Sequence, residues 1–482
     1  MSDVIFPKLP LPLSKQRSKA EAYLLSKHNL LAGFNDIEHL VTDEKQLDDA
    51  TRDAILHNML ELRKAIARIL WRGRLYIGTS VLDEFVFDAT KAGRANICDA
   101  VIAELHDAGV DRPGFVLYPL TEFGLEIPQI FERSSDLQST AIFNDAGFAV
   151  AAQSNSVGTL VQRLSAMAAS LGISTPIERS AIETYARSSN LKWLTRNPLL
   201  LLRLTSHTGS YYENQFIYTL KIRIASAQVV MLHALSVDAG VTIDKYQSSA
   251  EVNNFETLDI RHYLIGEATT PGKAMNMNRV PMNVAAKELA RLSDLAVTIS
   301  TRTLAQPNFV AISTRLSPLM NSLEEGHLRY VNLSSSERIH VRVYSRLLTA
   351  IDWYRQSFGS RTKEAEAIVA LAVAFETLLT DHYAPGSAQR LARRIGICLH
   401  DDPKVQFYEA SVVAVYQARS EIVHTGNVEH DTDIALAQAA FAKCFMYVVS
   451  RLPSLDRKMD DPIRQLLGDA LTNEEIDAKS LK

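Results

Sequence analysis

The last third of the chain carries helix start and stop signals at short intervals, and this series constrains the fold more than any other feature. Helical apolar patterns cover about residues 334–358, 363–383, 387–400, 403–424 and 431–452. Gly359, Pro385-Gly386 and Gly426 close three of these segments, and Pro403 suits the first turn of another. Short connections between long amphipathic helices favour antiparallel neighbours, so the pattern predicts an antiparallel helical bundle.

The rest of the chain gives mixed signals, so the predicted fold class is mainly α with a mixed α/β N-terminal region ahead of the bundle. A capping box is predicted at Ser334–Glu337. Strands are predicted at residues 74–78, 114–120, 240–247, 258–266, 308–314 and 328–334. The predicted divisions are an N-terminal, mainly helical region with some strands (1–238), a small α/β segment (239–334), the bundle (335–458) and an acidic tail without an assigned role (459–482). The α/β segment could equally be part of the N-terminal unit.

The composition of the chain limits the kinds of protein it can be and the cellular compartment that it suits. The net charge of −4 argues against a chain that coats nucleic acid non-specifically, so any RNA-binding surface must be local. Three scattered cysteines fit reduced thiols better than a disulfide framework. The first residues lack a basic start followed by an apolar segment, and the most apolar run, residues 367–379, is too short to span a bilayer. We therefore expect a cytoplasmic protein with no membrane contact.

The segment VYQARSEIVHTGN, Val415–Asn427, places an arginine and a histidine five residues apart at the end of one predicted helix. The spacing alone does not distinguish this pair, because three other arginine–histidine pairs of similar spacing occur in the chain. Context separates Arg419 and His424 from those pairs. Their helix is strongly apolar upstream, which predicts a central place in the bundle, and Gly426 puts His424 in the last turn.

This segment resembles the signature of HEPN domains, and of the Apea-like branch in particular. Thr425 departs from the pattern, because it separates the histidine from the glycine that usually follows it. Residues 350–358, 370–381 and 389–399 resemble the preceding helices of the family, and the likeness covers about residues 336–452. The matching signature residues are Tyr416, Arg419, Ser420, Ile422, Val423 and His424.

The resemblance implies a HEPN fold, homodimerisation through the bundle and, in many members, metal-independent RNA cleavage in a cleft across the dimer. Many such enzymes belong to toxin–antitoxin or antiviral defence systems, so abortive infection or growth arrest is the expected setting. An unknown trigger or regulator would act at the N-terminal region. Other members lack activity, and the alternative function is a non-catalytic scaffold or a module that binds a partner or a nucleotide.

The chemistry assigns a role to each residue of the predicted catalytic site. RNA supplies its own nucleophile, the ribose 2′-hydroxyl, so the protein needs proton-transfer groups and a cation. His424 suits proton transfer, and the planar guanidinium of Arg419 suits a phosphate oxygen. Ser420 is expected to orient either residue or the phosphate, with Glu376 and Tyr416 as structural support. Neither a metal nor a cofactor is predicted, and His430, Asp431 and Asp433 are better explained by a helix start.

Two basic clusters are candidate RNA-binding surfaces. The first is a stripe with a spacing of four residues on one helix, and the second lies on a later helix. Residues 335–458 carry fifteen basic and fourteen acidic side chains, so solvated, ion-paired faces are the competing interpretation. For the catalytic pair the competing interpretation is structural: Arg419 pairs with Glu376 or Glu421, and His424 caps its helix. The candidate RNA-binding residues are Arg338, Arg342, Arg346, Arg390, Arg393 and Arg394.

Overall fold

A computed structural model of the chain describes most of residues 7–470, and the statements below concern these residues. The predicted capping box at Ser334–Glu337 and the predicted strand at 240–247 fall almost wholly outside them. Internal residues outside the description are 12–14, 43–46, 74, 76, 109–112, 121–124, 127–139, 144–145, 150–156, 188–190, 192, 198, 206–214, 242–261, 269–272, 282–284, 294, 296, 298, 334–336, 360–361, 383–386, 427–431 and 457.

The chain is mainly helical, with a small antiparallel sheet, as the sequence predicts. Its N-terminal part is a group of helices that pack around α3, whose first turn is capped by the carboxylate of Asp48. The described residues of the segment 74–78 are not in a strand, so that prediction is wrong. The helices are α1 (Lys15–Lys27), α2 (Ile37–Thr42), α3 (Asp49–Arg72), α4 (Thr79–Lys91) and α5 (Ile97–Asp107), with a 3-10 turn at His28–Gly33.

The sheet has six strands in the order β3-β4-β5-β1-β6-β7, and every neighbouring pair is antiparallel. A separate parallel pair joins β2 and β8. The strands are β1 (Pro113–Pro119), β2 (Leu125–Glu126), β3 (Thr140–Phe143), β4 (Ala146–Ala149), β5 (Leu199–Thr205), β6 (His262–Glu267), β7 (Asn276–Pro281) and β8 (Ile299–Ser300).

Both faces of the central strands are buried, which explains why these strands are rich in apolar residues. In β5, Leu199 and Leu201 point into a core under helices α6 (Val157–Ser170), α7 (Arg179–Ala186) and α8 (Trp193–Arg196). Leu200 and Leu202 point to the opposite face, into the main core of the molecule.

Helix α9 (Gln215–Asp238) joins the sheet to the C-terminal bundle, since it packs against both. Apolar residues occur on all its sides, as expected for a helix mostly surrounded by protein, while Lys221 and Arg223 form ion pairs with neighbouring helices. After it come α10 (Ala285–Ser293), α11 (Thr301–Ala305), α12 (Pro307–Gly326) and a π-helical turn at His327–Asn332. The predicted strands at 308–314 and 328–334 are therefore wrong, because both segments are helical.

The C-terminal part contains five long helices at the positions that the glycine and proline signals predict. Consecutive members pack against each other, and α14 also contacts α16 and α17. A short helix from the acidic tail, α18, closes one end, so residues 459–470 pack onto the bundle. The helices are α13 (Arg338–Gln356), α14 (Glu364–Leu379), α15 (Ser387–Cys398), α16 (Val405–Thr425), α17 (Ile434–Ser450) and α18 (Pro462–Leu467).

One continuous apolar core runs from the N-terminal helices through α9 into the bundle. Strands from both sides of residue 239 share the six-stranded sheet, which favours assigning 239–334 to the N-terminal unit. Among the described residues, two helical stretches are long and apolar enough to cross a membrane, Ile217–Asp238 and Ile434–Ser454. The first of them is 83% buried inside the molecule, as core helices are.

Candidate active site

The end of α16 has the geometry that its sequence predicts. Gly426 adopts a left-handed conformation with φ of +79°, and its N–H donates to the carbonyl of Ile422 at 2.9 Å. This backbone conformation favours glycine, because a β-carbon strains it. The stop at Gly426 places His424 in the last turn and Arg419 about one turn earlier.

Arg419 lies between a carboxylate and an aromatic ring. Its guanidinium carbon is 5.9 Å from the centroid of the Tyr416 ring, at the outer limit of a cation–π contact. Glu376, on the neighbouring helix α14, is half-buried; burial raises the pKa of its carboxyl group, and the positive charge of Arg419 partly opposes that shift. The structure therefore brings together Arg419 and its two predicted supporting residues.

Two of the contacts that the competing structural interpretation requires are absent among the described residues. No hydrogen bond or close ion pair joins Arg419 to Glu376, although the charge of the arginine reaches that carboxylate. His424 is exposed, and its imidazole makes no capping hydrogen bond with any described residue. Ser420 is also exposed on the same helix. Among the described residues, no hydrogen bond therefore engages either predicted catalytic side chain.

Three of the six candidate RNA-binding arginines have structural roles instead. Arg390 and Arg394 are buried, with 1% and 0% of their surface exposed, so neither can contact a strand of RNA. Arg346 donates to the carbonyls of Thr377 and Thr380 at 3.0 and 2.6 Å and thereby caps the end of α14. Cationic side chains satisfy carbonyls at a helix end, which explains why this member of the stripe turns inward.

The other three arginines lie nearer the surface. Arg338 and Arg342 are exposed on α13, and Arg342 donates to the backbone carbonyl of Asp460 at 2.9 Å. Arg393 is 40% exposed and binds the buried carboxylate of Asp469 at 3.0 Å. A residual basic surface on α13 is therefore compatible with phosphate contact, whereas the cluster on α15 is mainly structural.

Sequence reasoning missed a cavity of about 470 Å³ between α10, α13, α14 and α16. Ile422, which lies between Arg419 and His424 in the sequence, forms part of its wall, and Trp353 and Arg355 line it from α13. The sequence did contain one indication of this cavity, which is the charged residue Arg355 on the apolar face of a helix. Periodicity marks such a position as buried, but it does not say whether a cavity adjoins it.

No group of three or more histidine, cysteine, aspartate or glutamate side chains with the arrangement of a metal site occurs in the described part of the chain. His430 and Asp431 lie outside that part. Asp433 is the N-cap of α17, where its carboxylate accepts from the backbone N–H of Leu436 at 2.9 Å. This contact agrees with the prediction that the acidic residues here begin a helix.

Comparison with known proteins gives no relative from which a function could be transferred. The chain matches no protein-family model, no curated protein and no solved structure. The assignment of a function therefore depends on the residues and on their geometry.

Proposed function

We propose that the protein is a HEPN-type endoribonuclease and that Arg419 and His424 form its active site. The observation that carries this proposal is the availability of both side chains at the end of α16: His424 is exposed, and no hydrogen bond from a described residue engages either side chain. A histidine and an arginine are well suited to the two tasks in the reaction, proton transfer and stabilisation of negative charge at phosphorus.

The proposed reaction balances without an added nucleophile. A base removes the proton of the ribose 2′-hydroxyl, and the oxygen attacks the adjacent phosphorus. The bond from phosphorus to the 5′-oxygen breaks, and an acid donates a proton to that oxygen. The products are a 2′,3′-cyclic phosphate and a 5′-hydroxyl. His424 takes one proton-transfer role, and His424 of a second copy in a homodimer takes the other, while Arg419 holds the phosphate and Ser420 orients it.

Cleavage of labelled RNA by the purified protein in EDTA tests this proposal. Arg419→Ala and His424→Ala should each reduce the rate at least a hundredfold, because a proton-transfer group or a phosphate-stabilising cation contributes that much or more. Arg451→Ala and His400→Ala are matched controls, since both residues are exposed near helix ends elsewhere in the bundle. They should cleave at the wild-type rate. Equal cleavage by all five proteins would overturn the assignment.

The cavity beside α16 favours a second candidate function, a non-catalytic module that binds a nucleotide or a partner. On this view the end of α16 is part of a recognition surface, and the purified protein cleaves no RNA even as a dimer. The N-terminal region packs against the bundle through α9 and α12, which contact α13 and α17. A regulator bound to the N-terminal region would act on the bundle through these contacts. A defence or growth-arrest role in the cytoplasm remains part of the proposal and rests on the resemblance to HEPN domains.

A further inference from the structure

The cavity between α10, α13, α14 and α16 has the size and lining of a small-molecule site. Its volume of about 470 Å³ is within the usual range for ligand pockets. Leu295, Val369 and Ile422 contribute apolar surface, and Trp353 adds a large aromatic ring system. Most ligand pockets are apolar with a few polar groups, and this cavity follows that pattern.

Arg355 is the notable polar group of the wall. Only 5% of the residue is exposed, and one guanidinium nitrogen binds both Glu288 and Asp352 at 3.1 Å, while another donates to the hydroxyl of Ser226. Its Nε–H has no acceptor among the described residues. This nitrogen is itself inaccessible, so Arg355 contributes a paired guanidinium to the wall and not a free donor to the cavity.

The charges around the cavity are balanced. Two arginines and two acidic side chains line it, and Arg291 is also paired with Glu288 at 2.9 Å. A phosphate would need uncompensated positive charge, which this lining lacks. The exposed amide of Gln356 offers both a donor and an acceptor at the edge. These groups fit an uncharged, planar, hydrogen-bonding ligand.

We propose that this cavity binds one nucleobase, stacked on Trp353 and hydrogen-bonded to the side-chain amide of Gln356. Aromatic side chains bind the faces of all bases, and polar groups at the rim then select among them. The base could belong to single-stranded RNA or to a free nucleotide. The RNA source rests on the proposed function: Ile422 of the cavity wall lies one turn beyond Arg419, so a bound base would help to select the scissile bond.

Tryptophan fluorescence and calorimetry with adenosine, guanosine, cytidine and uridine test the proposal directly. At least one nucleoside should bind and quench the fluorescence. Trp353→Leu should weaken binding about tenfold, as loss of one base–aromatic stack does. Ala365→Leu fills the cavity but keeps Trp353 as the reporter, and it should weaken binding at least as much. Ala410→Leu makes the same change at an exposed site on α16 and should bind like the wild type.

Short 2′-O-methyl oligonucleotides, which lack the nucleophile and cannot be cut, identify the source of the base. Binding at least tenfold tighter than that of the nucleoside, with mutual competition, indicates RNA. If the oligonucleotide binds as tightly as the nucleoside or more weakly, the natural ligand is a free nucleotide. If no nucleoside and no oligonucleotide binds, or if Ala365→Leu binds as the wild type does, the inference is refuted.

The same measurements separate this inference from the proposed function. His424→Ala should lose cleavage but bind nucleosides with unchanged affinity. Binding without any cleavage would leave the cavity assignment standing and remove the nuclease. Cleavage that depends on His424, combined with no binding, would do the opposite.

Discussion

Replacement of Asp469 by alanine tests how the acidic tail contributes to the bundle. The carboxylate of Asp469 is fully buried and accepts from Nε of Arg393 at 3.0 Å and from Nε of Arg394 at 3.1 Å. Arg394 is also fully buried, and burial lowers the pKa of its guanidinium, a shift that the negative charge of Asp469 opposes. The substitution therefore leaves a buried cation without its main counter-charge.

The size of the effect follows from the burial of each partner. Loss of one member of a buried ion pair costs about 3–5 kcal/mol, because the other charge stays desolvated. Arg393 is 40% exposed and adds about 1 kcal/mol at most. Arg394 keeps the carbonyl of Leu379 at 2.5 Å as an acceptor and the nearby negative charge of Asp381, and both limit the loss. We expect Asp469→Ala to lower the free energy of unfolding by about 3–5 kcal/mol.

Urea unfolding followed by circular dichroism measures this change. Asp460→Ala is the matched control, because Asp460 lies in the same tail, is exposed, and contacts Arg342 only through its backbone carbonyl. It should change stability by less than about 0.5 kcal/mol. Arg394→Met combined with Asp469→Ala should cost less than the two single changes added together, with a coupling energy of about 1–3 kcal/mol.

A loss below about 1 kcal/mol in Asp469→Ala, or strict additivity in the double variant, would refute the reasoning. Either result would mean that the tail is not the counter-charge of α15. The cluster Arg390, Arg393 and Arg394 would then need another explanation, and its assignment to RNA would be open again.

Two further predictions concern the π-helical turn and the residue before it. Burial and the positive charge of Arg223 lower the pKa of His327 from 6.5 to about 4, so its contribution to stability is complete above pH 6.5 and is lost as the pH falls towards 4. His327→Gln should remove about 3 kcal/mol of this pH dependence in urea titrations, whereas His382→Gln, at an exposed position, should not. Gly326→Ala would place a β-carbon 1.9 Å from the Tyr344 ring and should cost about 1–3 kcal/mol in thermal or chemical unfolding. Gly396→Ala meets only the end of a flexible side chain, so an equal loss there would contradict this explanation.

The helices of the bundle could be predicted because their boundaries are local. Proline fixes φ and glycine permits a left-handed backbone at single positions, so Gly426 and Pro403 mark the limits of α16 without knowledge of its neighbours. The wrong strands at 308–314 and 328–334 show the opposite case. Their β-branched and aromatic residues favour strands, but tertiary packing overrides this local preference. In the first segment Phe309 shares a buried helical face with Leu316 and Met320 of α12, which packs against α9, and the second segment packs against α13.

The candidate site was predictable only in part, for a related reason. A motif identifies Arg419 and His424, and a spacing of four residues puts basic side chains on one face of a helix. Neither shows which arginines have distant acidic partners: Arg394 pairs with Asp469, 75 residues later. Such long-range contacts, and cavities formed by four helices, depend on the tertiary fold.

The different surroundings of the arginines bear on whether Arg419 is catalytic. Where an arginine supports this fold, several acceptors hold it: Arg346 has three carbonyls, and Arg355 has two carboxylates and a hydroxyl. Among the described residues, Arg419 has a distant ring and the field of Glu376. Burial raises the pKa of the Glu376 carboxyl group, and the charge of Arg419 partly opposes that shift without a hydrogen bond between the two side chains. Arg419 has fewer contacts than the structural arginines and lies on the same helix as the exposed His424, so it is the arginine that we propose to bind phosphate.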